Sequence, residues 1–310
     1  MSHWRRWLIM ASAPGGTNKM VGLILVVVLA SAAGFSYVLM TNTENPIDSG
    51  DGPTSPILDI DDAIRIDGDG EFQNYTVEYS VPGNGTIDNP YVIQNLSIVE
   101  EGICIDIRNV EAPFIIRDCE LKATAYYWGM AIYLRNCHSA TIERCRTEGG
   151  ISGIEFLGCS EVVVQDCFVS TTCAGINSSI SQRTTIRGNT VFNTTYGISV
   201  VCSNRTTIES NRMFYNELGL WSQFSYNCTL TRCNVTDNKL GVHIDVGCQS
   251  WVIHSSGFAR NMDGNAKDDG SMNQWDDGVS IGNIWDDYSG IGWYSIPGTA
   301  ASSDRFPRGS

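Results

Sequence analysis

The fold that this sequence predicts is all-β, a right-handed parallel β-helix solenoid with coils of about 22 residues, preceded by an N-terminal transmembrane helix. Three observations carry it. One hydrophobic pattern recurs every 22 residues through the middle of the chain, the composition suits strands and turns, and an uncharged apolar stretch lies near the N-terminus. Internal periods of roughly 20–50 residues mean stacked supersecondary units, each too thin to bury a core alone.

Charged residues make up 17% of the 310-residue chain, below the roughly 25% of an average soluble domain. Gly, Asn, Ser and Thr are plentiful, which suits strands and tight turns better than long solvated helices. The formal net charge of −14 argues against nucleic acid as a partner, because phosphates need a basic surface. It also disfavours anionic polysaccharides unless a divalent cation bridges the two.

Residues 1–19 carry Arg5, Arg6 and Lys19 and read as a cytoplasmic N-terminus. Residues 20–42 are uncharged and long enough to cross a bilayer core of about 30 Å, and Glu44 and Asp48 follow, so the positive-inside rule places the rest of the chain outside. A cleaved signal peptide is the alternative, since Ala30-Ser31-Ala32 resembles a cleavage site; the apolar run continues past it, which favours the anchor. Both readings export the remainder, to the cell surface or as a secreted protein. Sequons at Asn74, Asn84, Asn95, Asn177, Asn193, Asn204, Asn227 and Asn234 are then candidate glycosylation sites.

Residues 43–56, with three prolines and no apolar periodicity, form a polar linker. Residues 57–100 hold strand-like pieces at Ile64-Arg65-Ile66 and Tyr91-Val92-Ile93 and read as an N-terminal cap leading into the first coils. Asp67, Asp69 and Glu71 with Glu78 copy several positions of a calcium loop, but Phe72 stands where that loop requires glycine.

Residues 101–260 are the coils. A small residue followed by an aliphatic one recurs at Ala131-Ile132, Gly153-Ile154, Gly175-Ile176, Gly197-Ile198, Gly219-Leu220 and Gly241-Val242. A second column runs Ile142, Val164, Ile186, Ile208, Leu230 and Val252; a third Cys145, Cys167, Asn189, Asn211, Cys233 and Ser255; a fourth Thr147, Val169, Val191, Met213 and Val235. An earlier copy, with Ile103, Ile116, Cys119 and Leu121, is lengthened by an insertion around residues 125–128. Leucine-rich repeats share this period, but the position two before the second column holds Ala140, Val162, Thr184, Thr206, Cys228 and Ser250 where that fold demands leucine. The short alternating runs are strands joined by Gly/Asn/Ser turns.

Stacked corner residues meet their equivalents in neighbouring coils, so Asn189 and Asn211 are expected to form an amide ladder in which Cys145 and Cys167 act as small hydrophobes. The eleven cysteines are an odd number, and free buried thiols are the favoured reading over bridges at Cys145/Cys167 or Cys137/Cys159. No C-x₂-C pair suggests a thiolate metal site.

Residues 261–310 are rich in Asp and Trp. Trp275, Trp285, Tyr288 and Trp293 are expected to cover the last rung while the Asp-Asp-Gly turns stay solvated. The paired carboxylates Asp268/Asp269, Asp276/Asp277 and Asp286/Asp287 suggest calcium, although structural turns are favoured, because Lys267 follows Asp263 and Asn265 where an EF-hand needs another oxygen.

The outward position after each anchoring aliphatic gives Tyr133, Glu155, Asn177, Ser199, Trp221 and His243, with Asp245 two further on. Stacked on one sheet, they form a ligand face with aromatic platforms and a few acids. Glu155 and His243 fall four coils, roughly 19 Å, apart, too far for one acid/base step. No outward carboxylate pair on consecutive coils is evident, as a glycosidase needs, and the remaining acids gather in the tail.

The pattern resembles the NosD-type proteins with right-handed parallel β-helix repeats, the carbohydrate-binding and sugar-hydrolase group of archaeal surfaces. The likeness spans about residues 57–307 and rests on three stretches: residues 64–72 (Ile-Arg-Ile-Asp-Gly-Asp-Gly-Glu-Phe), 83–93 (Gly-Asn-Gly-Thr-Ile-Asp-Asn-Pro-Tyr-Val-Ile), and the tail with Asn265-Ala266-Lys267-Asp268-Asp269-Gly270 and Gly282-Asn283-Ile284-Trp285-Asp286-Asp287-Tyr288. The resemblance implies a surface or periplasmic β-helix and, through NosD itself, copper handling. His3, His138, His243 and His254 form no Met/His cluster in the sequence that would hold copper. Three functions follow in order: a surface binding or structural module that contacts glycans or partner surface proteins, a polysaccharide hydrolase or lyase, and copper handling.

Overall fold

The structure, a computed structural model, describes residues 62–310 except 171–172, together with the backbone of Leu58–Asp59. The predicted cytoplasmic segment, membrane span and linker lie outside the described residues, among which no helix is long and apolar enough to cross a membrane.

Each coil lays down three short strands, and successive coils stack them into three parallel sheets of nine, eight and eleven strands. The nine-stranded sheet runs from Ile64–Asp67 to Ala266–Asp268, the eight-stranded from Tyr91–Gln94 to Val252–His254, and the eleven-stranded from Leu58–Asp59 to Arg308–Gly309. Ile132, Ile154, Ile176, Ile198, Leu220 and Val242 pair in register up the nine-stranded sheet, and all are fully buried. The small residue before each aliphatic has a steric cause. A Cβ on Gly197 would stand 2.4 Å from the Gly219 carbonyl oxygen of the next coil, and one on Gly219 would stand 2.6 Å from that of Gly241.

The second and third columns depart from the strict repeat at their last member. Leu230 pairs with Ile253, not Val252, and the Cys233 backbone N–H donates to Ser256 Oγ at 3.1 Å, not to Ser255. The cause is one extra residue in the turn at Asp245–Cys248, where Gly247 adopts φ +83°. Register is restored one residue late, because only that shift keeps the aliphatic inside.

The corner ladder forms as the stacking requires. Asp166, Gly188 and Ser210 take left-handed backbone, which breaks the strand pairing and leaves the next N–H needing a partner. Cys167 N donates to Asn189 Oδ1 at 2.9 Å, Asn189 N to Asn211 Oδ1 at 2.9 Å, and Asn211 Nδ2 to the Ile186 carbonyl at 2.8 Å. Two further ladders were not foreseen. One links Asn216, Asn238 and Asn261, and the other Ser181, Ser203 and Ser225. All eleven cysteines are free thiols, nine of them within 2% of full burial.

The N-terminal end is closed by a helix at Asp69–Glu78, which alternation-based reading did not anticipate. Phe72, the residue that spoils the calcium-loop pattern, is its plug: fully buried, it stacks on Tyr91 at 4.7 Å and lies 5.3 Å from Phe114. Asp69 Oδ1 accepts the backbone N–H groups of Glu111 and Ala112.

At the C-terminal end Trp275 and Trp285 are fully buried and Tyr288 packs against the core. Trp293 does not cap, being 67% exposed. Trp251, at a corner of the last full coil, is also fully buried, its Nε1 donating to the Ser225 carbonyl at 3.3 Å. The Asp-Asp-Gly turns are not solvated throughout. Asp268 and Asp276 are fully buried, because Asp268 Oδ2 accepts Trp275 Nε1 at 2.9 Å and Asp276 pairs with Arg305. Trp285 Nε1 likewise donates to the buried Asp304 at 3.0 Å.

Candidate functional site

In every strand of the nine-stranded sheet the side chains alternate in and out, so register inside fixes register outside. Tyr133, Glu155, Asn177, Ser199, Trp221 and His243 therefore stand in one column, in the predicted order. The column is longer than foreseen: Asp106 precedes Tyr133, and Lys267 follows His243. Over nine strands the face is about 38 Å long.

Its N-terminal half is organised by Arg108, which forms a bidentate pair with the buried Asp106 at 2.8 Å and lies 5.5 Å from the centre of the Tyr133 ring. Burial pushes the Glu155 carboxyl above its ordinary range, opposed by hydrogen bonds from Asn177 and Ser152. Ser199 Oγ donates to Asn177 Oδ1 at 2.7 Å. Trp221 packs against Tyr196 with ring centres 5.1 Å apart. Three exposed aromatics, Tyr126, Tyr127 and Trp128, occupy the insertion just before the Tyr133 strand. Their signal was the run of three consecutive aromatics in a lengthened coil.

At the C-terminal end of the face the structure makes a connection that the linear sequence concealed. Asp269 belongs to the tail, yet Ile244 pairs with Asp268, which sets Asp269 beside His243. His243 Nε2 lies 3.1 Å from Asp269 Oδ2, and one ligating atom each of His243, Asp245 and Asp269 lie within 4.8 Å of one another. The expectation that no carboxylates meet on consecutive coils is thus corrected, because the tail completes the next strand of the same sheet. Burial raises the Asp269 carboxyl, but Lys267 Nζ at 2.6 Å, the Thr299 N–H and His243 outweigh it and hold the group well below the usual carboxylate range.

The other five of the six paired tail carboxylates join no such group among the described residues. Asp268 and Asp276 are engaged as above, and Asp277 Oδ1 accepts three backbone N–H groups, from Val279, Ser280 and Ile281. Asp286 and Asp287 both take Asn265 Nδ2 at 2.9 Å. These bonds are those of closed turns.

The sequons are spread over the solenoid. Asn74 is exposed on the helix, Asn84 Oδ1 accepts Thr86 Oγ1 within its own turn, and Asn95, Asn193 and Asn227 occupy left-handed turns. Asn227 Nδ2 donates to Asn204 Oδ1 at 3.4 Å, Asn234 is exposed on a strand, and Asn177 stands within the outward column itself.

Together these features define a parallel β-solenoid with one long, mixed polar and aromatic outward face. The chain belongs to the NosD family: residues 74–290 match the family described as "Periplasmic copper-binding protein (NosD)". No curated protein matches it. Similar solved structures include tailspike protein 2 of Escherichia coli O157:H7 bacteriophage CAB120, at 12% identity and TM-score 0.48 over 62% of this chain and 35% of that one. An exopolygalacturonase from Thermotoga maritima matches at 13% and 0.41 over 59% and 51%, and an alginate lyase from Paenibacillus sp. str. FPU-7 at 11% and 0.46 over 81% and 97%. The chain thus spans about a third of the tailspike and half of the exopolygalacturonase. No functional inference rests on likenesses at this level.

The family's description implies copper. Reduced copper takes thiolate and thioether donors, yet no described thiol joins a group of three ligating side chains, and burial pushes the Cys104 and Cys233 thiols up to about 12. The described thiols therefore do not fit reduced copper.

Proposed function

We propose that this protein is an exported binding module that holds an extended glycan along the outward face of the nine-stranded sheet. The observation that carries the reading is the in-register column from Asp106 to Lys267, with Tyr133 and Trp221 as stacking platforms and Asn177 and Ser199 as hydrogen-bonding groups between them. The net charge of −14 favours neutral over anionic sugars. A partner surface protein is the competing ligand for the same face. The membership in a family described as periplasmic supports export, and membrane anchoring through residues 20–42 and glycosylation of the sequons are part of the same reading.

The enzyme reading stands second for a geometric reason. Glycoside hydrolysis needs a protonated acid beside a second carboxylate. Asp269 is held ionised, whereas Glu155, the one described carboxyl that is pushed up, is five strands, about 24 Å, away along the column. Glycan-array binding by the full chain tests the proposal, with Trp221→Ala and Tyr133→Ala expected to weaken retention at least tenfold. Unchanged binding in both variants would overturn it. Product release abolished by Asp245→Ala would replace it with the enzyme reading.

A further inference from the structure

We propose that His243, Asp245 and Asp269 form a binding site for a borderline divalent metal ion of the Zn²⁺ class at the C-terminal end of the outward face. One imidazole and two carboxylates, with a side open to solvent, are the donor set that such an ion takes when it keeps a free coordination position. Ligand bonds of about 2.0–2.2 Å to a shared tetrahedral ion put donor atoms roughly 3.4 Å apart. His243 Nε2 and Asp269 Oδ2, at 3.1 Å, are already at that spacing, and Asp245 must close in by no more than about 1.5 Å from the 4.8 Å limit.

The surrounding contacts orient the donors. The Thr299 N–H holds Asp269 Oδ1 at 2.9 Å, which leaves Oδ2 to face His243 Nε2, and the Val246 N–H holds Asp245 Oδ1 at 2.7 Å. Bonds of this kind fix ligand geometry in metal sites. Asp245 still keeps the 22-residue register, opposite Gln223 and just before the one-residue insertion, and the column itself supplies His243.

One cation and one neutral amide of this protein's own bear on the site. Lys267 Nζ lies 2.6 Å from Asp269 Oδ2, with its side chain 45% exposed, so it supplies the positive charge that an ion would bring and can swing out to solvent. Gln223 Nε2 donates to Asp245 Oδ2 at 3.2 Å and is a neutral, displaceable contact. Lysine and metal therefore compete for Asp269. Calcium is a poorer occupant, since it takes six to eight oxygen ligands and one of the three donors here is nitrogen.

The proposal is independent of the glycan reading, and its test needs no sugar. The full chain in detergent, stripped with chelator, is titrated with Zn²⁺ by calorimetry and with Co²⁺ by visible absorption. Saturable binding of one ion per chain is expected, with Co²⁺ bands that Zn²⁺ displaces. His243→Gln should weaken Zn²⁺ at least tenfold while leaving the metal-free melting temperature unchanged. Lys267→Met should tighten it severalfold, a gain that no loss of folding can mimic. Absence of saturable Zn²⁺ binding overturns the site. So does wild-type affinity in both variants, or Ca²⁺ binding as tight as Zn²⁺.

Discussion

Asn211→Ala removes the middle of a corner ladder and leaves the hydrophobic columns intact. Asn211 Oδ1 accepts the Asn189 backbone N–H at 2.9 Å and Asn189 Nδ2 at 3.0 Å, and its own Nδ2 donates to the Ile186 carbonyl at 2.8 Å. Both asparagines are buried, so water does not replace these partners. Asn189 Nδ2 keeps the Val164 carbonyl at 3.0 Å, but its backbone N–H is orphaned, which costs about 1–3 kcal/mol. With the two further bonds lost at about 1 kcal/mol or less each, the expected destabilisation is about 3 kcal/mol. For a domain of this size that lowers the melting temperature by roughly 6–12 °C. Asn211→Cys should cost much less, because Cys159 shows that a thiol in an equivalent corner accepts the N–H of the coil before it, from Cys137 at 3.4 Å. Urea unfolding followed by far-UV circular dichroism measures both variants. A loss under about 1 kcal/mol for Asn211→Ala, or equal losses for the two, would refute the reasoning that the ladder satisfies backbone groups.

Gly197→Val places a side chain 2.4 Å from the Gly219 carbonyl oxygen and should cost about 3 kcal/mol or more, seen as loss of soluble folded protein. Phe72→Ala opens the N-terminal plug at a cost of about 3–5 kcal/mol, and hydrogen exchange should then show Tyr91–Gln94 losing protection first. Asp276 is lowered chiefly by its pair with Arg305, and Asp269 is also depressed against its burial. Their folded-state values lie below the unfolded value of about 3.9, so their contribution is present above about pH 4 and is lost as pH falls through the folded values. Melting temperature against pH should therefore drop in acid, with a shallower slope in Arg305→Ala.

The sequence by itself determined the coil length, the three inward columns, the first corner ladder and the order of the outward face, because a solenoid repeats one local environment and residues 22 apart report the same contact. It was less informative wherever the repeat is broken. The extra residue at Asp245–Cys248 shifted the last members of the second and third columns by one, and nothing in the spacing alone distinguished Val252 from Ile253. The helix at Asp69–Glu78 has too weak an amphipathic pattern to announce itself, and Phe72 reads as a defect in a calcium motif until its burial is seen. The tail is the clearest case. Asp268, Asp269, Asp276, Asp277, Asp286 and Asp287 look alike in the sequence, and only the tertiary structure separated them, burying Asp268 and Asp276 beneath Trp275 and Arg305 and bringing Asp269 alone to His243 and Asp245. The physical reason is that periodic residues are specified by near neighbours in adjacent coils, whereas a cap and a site depend on where an aperiodic segment returns, which its own residues do not encode locally.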